Sequence, residues 1–135
     1  WTTLSSGTWS RRGTFAYWGS GSTRWAGAVS GYSADQNVQT NNYTLLSSDT
    51  GRIIEINSAT GKSVTLPNNF TPGFCCTVIQ SGAGQVTFSP ASGATLVNAD
   101  SQDKAAGQWA MCTLYVTTNA GGTSAKWVLG GRTGP

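Results

Sequence analysis

From Tyr43 to Gly131 the chain is a relay of short β-branched and aromatic runs, each closed by a turn rich in Gly, Asn, Pro or Ser. The runs occupy residues 43–46, 52–56, 63–66, 74–80, 85–88, 94–97, 108–118 and 126–129. None has the length or the spacing of an amphipathic helix. The relay therefore predicts an all-β fold, a compact antiparallel β-sandwich or barrel-like domain of about eight short strands. That domain is expected over residues 43–135, behind a Trp- and Gly-rich N-terminal segment over residues 1–42.

Alternation says which face of each strand is buried. Ile54 and Ile56, Val64 and Leu66, and Val86 and Phe88 each stand two apart, as a half-buried strand requires. Pro67 and Pro90 stop the strands before them, because proline cannot donate to a ladder. Residues 81–84, Ser-Gly-Ala-Gly, form a hairpin candidate in which glycine is free to take positive φ. Segment 30–42 has no periodic apolar face and reads as a connector. In run 108–118 one face presents Ala110, Cys112, Leu114 and Val116, an ordinary core. The other presents Trp109, Met111, Thr113, Tyr115 and Thr117, too aromatic for a freely solvated surface. A second packing layer, a subunit interface formed by Trp109, Met111 and Tyr115, or a ligand platform would each account for it. Trp127, beside Val128 and Leu129 in the closing run, belongs to the core.

A chain of 135 residues suits one ordinary domain with an appended segment. Eight basic and five acidic residues leave a net charge of +3 with no run of like sign, so the dense basic stripe of a nucleic-acid binder is missing. Ser, Thr and Asn take the surface positions that Lys and Glu usually hold, a texture that points to an extracellular β protein. The apolar fraction of 38% is enough for a real core, so low charge does not mean disorder. Cys75, Cys76 and Cys112 are an odd set with a vicinal pair, not a disulfide framework. Adjacent strand positions face opposite ways, so at most one of Cys75 and Cys76 can meet Cys112, and small free core cysteines are the simpler reading. No apolar run approaches the length needed to cross a membrane, and the start carries no leader pattern, so no membrane insertion is expected. The first residue is Trp1 rather than Met, which reads as a processed product or a piece of a longer protein.

Enzymatic chemistry finds little to work with. The chain contains no histidine, so a Ser-His-Asp or Cys-His arrangement and an imidazole metal site are excluded. Asp35, Asp49, Glu55, Asp100 and Asp103 show no spacing that pairs two carboxylates across a cleft. Asp100 and Asp103 flank Ser101-Gln102 in a loop, where solvated turn residues are the commoner reading and a calcium ligand pair the rarer. No catalytic residue, metal or cofactor is expected. What remains is binding. Exposed Trp and Tyr stack on sugar rings while Arg, Asn and Gln satisfy hydroxyls. The first 42 residues hold four of the six tryptophans, and Trp9, Arg11, Arg12, Tyr17, Trp18, Arg24 and Trp25 are the glycan-binding candidates there. Core or interface burial is the commoner fate of tryptophan, and adjacent arginines such as Arg11 and Arg12 are commonly solvated turn residues.

The main domain also resembles a known module. Tyr43-Thr44-Leu45, the stretch 49–57 (DTGRIIEIN), Val64-Thr65-Leu66-Pro67, Val78-Ile79-Gln80 and the stretch 82–88 (GAGQVTF) are similar to a module near the C-termini of tailed-phage and prophage tail fibres and tailspikes. Gly107-Gln108-Trp109 before a strand, and the closing stretch 126–131 (KWVLGG), resemble that module's end. The likeness covers about two thirds of the chain and is one of turns and strands. It implies a distal all-β domain of a fibre, commonly a homotrimer, located on the virion and extracellular. Such a domain would recognise a bacterial surface polysaccharide, lipopolysaccharide or capsule, during host adsorption. A trimerisation cap or virion decoration module without its own ligand is the alternative, and a carbohydrate-binding module of a secreted bacterial enzyme the next. No shared set of receptor-contacting residues transfers from the module.

Overall fold

Among the described residues, consecutive strands go to opposite sheets at every step but one, and that alternation generates the architecture. A computed structural model of the protein describes residues 34–135. Its strands are β1 (Gln36–Gln39), β2 (Tyr43–Thr44), β3 (Ile53–Ile56), β4 (Lys62–Leu66), β5 (Cys75–Gln80) and β6 (Val86–Pro90). They continue as β7 (Thr95–Val97), β8 (Lys104–Ala105), β9 (Met111–Thr118), β10 (Lys126–Gly131) and β11 (Thr133–Gly134). One sheet has the order β1-β3-β5-β9-β10-β7 and the other β11-β8-β6-β4-β2. The all-β class expected from the relay is therefore shown, and each of the eight runs contributes a strand.

Strand direction departs from the antiparallel expectation. β1–β3, β3–β5, β2–β4, β4–β6 and β7–β10 pair in parallel, while β5–β9, β9–β10, β6–β8 and β8–β11 are antiparallel. The reason is geometric. From β1 to β6 the chain crosses to the opposite sheet after every strand and keeps winding in one sense, so each strand from β3 to β6 runs parallel to the one two before it. Residues 36–90 thus wind as stacked rungs, and the antiparallel strands that follow cover the last rung.

The second and third rungs are in one register throughout. Ile53 lies opposite Thr77 and Lys62 opposite Val86, so each residue sits against the one 24 positions later on both sheets. The corner between the sheets keeps the same offset. There Ser81 N–H donates to Ile56 O at 3.0 Å and Gly84 N–H to Ser58 O at 2.9 Å, continuing the ladder around the bend. Residues 81–84 are therefore a corner between sheets, not the hairpin expected of them. Backbone can stack on backbone here because Gly82 and Gly84 carry no Cβ; a methyl on either would overlap the main chain of Ser58 or Thr60. The buried Gln80 side chain secures the bend, donating to Gly82 O at 3.2 Å and accepting from Val86 N–H at 3.1 Å.

The first rung was illegible as structure. β1 reads Gln-Asn-Val-Gln, polar residues that seldom form strands, and segment 30–42 had been expected to connect. Its side chains explain it. Asp49, fully buried in a 3-10 turn at Ser47–Asp49, accepts hydrogen bonds from Asn37 Nδ2 at 3.1 Å, Tyr43 Oη at 2.6 Å, Leu46 N–H at 2.9 Å and Arg52 Nη1 at 3.2 Å. One carboxylate thereby ties β1, β2 and the start of β3 together. Four donors converge on this buried carboxylate, while the Nε of Arg52 beside it stays buried without a partner.

Between the sheets lies one core. Ile54, Ile56, Val64, Leu66, Val78, Phe88, Cys112, Leu114 and Val116 are all buried, following the alternation read from the sequence. Trp127 is completely buried, as expected, and packs against Phe70 and Phe74 at centroid distances of 5.5 and 5.3 Å. Its Nε1–H donates to Pro67 O at 2.9 Å, which satisfies the one polar atom such burial would orphan. Pro67 does follow the end of β4, whereas Pro90 is itself the last residue of β6, opposite Leu66.

The cysteines are free, with Cys75 exposed and Cys76 and Cys112 buried. Cys112 pairs across the ladder with Val78, and Cys76 with Leu114, so the register keeps the thiols apart. Burial, reinforced by the Asp49 carboxylate, pushes the Cys76 thiol up to about 12, and burial pushes Cys112 up to about 11. In the unfolded chain both ionise near 9.0. The folded state therefore keeps its full contribution from these thiols below pH 9 and loses it as pH rises from there through 11 and 12. Tyr43, raised by burial and then by its hydrogen bond to Asp49, shifts stability in the same direction above its ordinary value of 10.0. Urea denaturation between pH 7 and 11 should show a flat midpoint up to about 8.5 and a falling one above it. An aromatic disulfide reagent at pH 8 should titrate one thiol in the native described domain and two more only after unfolding.

Candidate functional site

The strand that held the most telling sequence pattern also carries the most exposed aromatic surface. In β9 the residues Cys112, Leu114 and Val116 face the core while Met111, Thr113, Tyr115 and Thr117 face outward. Register then builds the outer face of the six-stranded sheet. Val38, Glu55, Ile79 and Met111 form one row across it, and Cys75, Tyr115, Val128 and Val97 another. Val38, Met111, Tyr115 and Val97 are all more than a third exposed. An apolar face of this kind, on a protein so poor in charge, is a candidate contact surface.

Trp109 stands apart from that face. The run 108–118 had been expected to be strand throughout, but β9 begins at Met111, and Gly107 to Ala110 make a β-turn closed by Ala110 N–H to Gly107 O at 3.0 Å. Trp109 occupies its third position with φ +70°, the left-handed region that a turn of this kind reserves for Gly or Asn. A bulky side chain held there costs about 1–3 kcal/mol. The turn is pinned against the corner of the third rung: Trp109 N–H donates to Gln80 O at 2.6 Å and Gln108 Nε2 to Ser81 O at 2.9 Å. The indole itself gains no burial from this, being 67% exposed. Alternation hid the turn from sequence reasoning, since Trp109 is outward-facing under either description.

Beside the turn is a shallow cavity of about 330 Å³, lined by Ala106, Gly107, Gln108, Trp109, Ala110 and Arg132. Arg132 is exposed, and among the described residues no carboxylate pairs with it. Its backbone is fixed, donating to Met111 O at 3.0 Å and accepting from Ala106 N–H at 3.0 Å. Gly107 leaves open space over the floor of the cavity. A larger cavity of about 560 Å³ lies at the other end of β5, over Phe70, Pro72 and Phe74, but both phenylalanines are turned into the core.

Of the residues proposed from the sequence, Met111 and Tyr115 lie on the outer face of β9 and Trp109 in the turn before it. Trp9, Arg11, Arg12, Tyr17, Trp18, Arg24 and Trp25 lie outside the described residues. Arg132 and Gln108 were missed, because a lone Arg near a chain end and a Gln in a run give no pattern. Asp100 sits in a turn organised by Asn98, whose Oδ1 accepts from Asp100 N–H at 2.9 Å and Gln102 N–H at 3.0 Å. No protein-family model and no curated protein matches the chain.

Proposed function

We propose that this chain is a non-enzymatic receptor-binding tip domain of a bacteriophage tail fibre or tailspike, homotrimeric and exposed on the virion, that recognises a bacterial surface glycan during host adsorption. The observation that carries the proposal is the directional build of the described domain. Its rungs stack in chain order, with β1 and β2 as the two edge strands at one end and strands β7 to β11, joined to the last rung by the antiparallel pairs β5–β9 and β6–β8, gathered at the other. That is the build of a terminus, with parallel ladders open on the N-terminal side and covered on the C-terminal side. Resemblance to the phage tail module points the same way. The apolar rows through Met111 and Tyr115 supply surface for contact between copies of the chain, which symmetric association would cover.

Light scattering on the purified chain at micromolar concentration tests the assembly. The expected mass is three times the 14.0 kDa of one chain, and a monomer would remove the trimer from the proposal. Adsorption of the labelled chain to intact bacteria separates a receptor-binding tip from a trimerisation cap, which would form the same trimer and stay in solution.

A further inference from the structure

We propose that Trp109, Arg132 and Gln108 form a carbohydrate subsite that takes one acidic pyranose unit, such as a uronic acid, at the turn that precedes β9. This rests on the glycan-binding reading above and assigns it a place on the described domain. Four independent features meet there. The Trp109 ring is the most exposed large apolar side chain of the described domain, at 67%, and is held by a backbone conformation that a glycine would satisfy without strain. Nothing about packing requires tryptophan at this turn. Strain retained without burial is a mark of function.

The chemistry of the neighbours fits a sugar carrying a carboxylate. An indole face stacks on the apolar face of a pyranose, and the planar guanidinium of Arg132 can engage a carboxylate through two parallel hydrogen bonds. Gln108 spends its amide donor on Ser81 O, which fixes the side chain and leaves Oε1 to accept from a sugar hydroxyl. The cavity of about 330 Å³ holds a monosaccharide unit, and the missing side chain at Gly107 lets the ring approach the turn. A net charge of +3 favours the encounter with an anionic polymer.

The test uses the full chain and two sets of purified bacterial polysaccharides, one rich in uronic acids and one neutral, with binding read by calorimetry and assembly by light scattering. Wild type is expected to bind members of the acidic set. Trp109→Gly should weaken that binding by about tenfold or more, the scale of losing a central aromatic contact, while its melting temperature stays level or rises. Trp109→Phe should keep part of the affinity, and Arg132→Gln should remove the preference for acidic over neutral polymers. Undiminished binding by Trp109→Gly and Arg132→Gln would overturn the subsite while leaving the receptor-binding proposal standing. So would binding confined to the neutral set. A change of stoichiometry in Trp109→Gly with binding intact would make Trp109 an assembly residue and overturn the assignment. Failure to bind either set would remove the subsite and the glycan-binding function together.

Discussion

Gly84→Ala is expected to cost about 3 kcal/mol or more, at the upper end for an overpacking change, and to leave little folded protein at 37 °C. The added methyl would overlap the carbonyl carbon and oxygen of Thr60, and neither can yield without breaking the ladder around the corner. Gly82→Ala meets Ser58 in the same way. Neither glycine has positive φ, so the cost is steric and not conformational. Gly130→Ala is the matched control. It lies in β10 with nothing near the site of a new Cβ, and its stability should stay within about 0.5 kcal/mol of wild type. Urea denaturation of the three variants decides the matter. A Gly84→Ala protein as stable as Gly130→Ala would mean that the rungs do not stack as described.

Asp49→Ala should be the second severe change, costing about 3–5 kcal/mol. Removal of the carboxylate takes an acceptor from the Tyr43 hydroxyl proton, the Asn37 amide, the Leu46 N–H and one guanidinium nitrogen of Arg52 around a buried void, leaving only the Asn37 Nδ2 to Tyr43 Oη bond at 2.9 Å. Asp49→Asn keeps the volume and one acceptor, and should cost about 1–3 kcal/mol. The loss should be local as well as global. Hydrogen exchange should accelerate first at the amides of β1, which are held to the domain through β3 and this network. An Asp49→Ala variant with native protection in β1 would show that backbone pairing alone secures the first rung.

Most of the fold was legible because its core strands alternate. Ile54 with Ile56, Val64 with Leu66, and the three inward residues of β9 announced both their strands and their buried faces. What alternation cannot express is direction. Parallel and antiparallel strands bury the same residues, so the crossing from sheet to sheet left no trace in any single run. The rung repeat was hidden for a related reason. It holds at 24 residues only between the second and third rungs, while Gln36 meets Ile53 and Tyr43 meets Val64 at shorter and unequal offsets. β1, β8 and β11 were lost to polarity or brevity. At the candidate site the sequence pointed to the outer face of β9, but Trp109 looked like one more strand residue. Its departure from the strand, and its meeting with Arg132, depend on a backbone angle and on a long-range closure that no local pattern encodes.

The central claim is that the chain recognises a glycan on bacteria. An array of purified lipopolysaccharides and capsular polysaccharides, probed with the full chain in its native assembly, measures it directly. Saturable retention on a subset of these polymers, competed by the same polymer in solution, is the result expected. A folded, trimeric chain retained by none of them would contradict the account and leave a structural cap in its place.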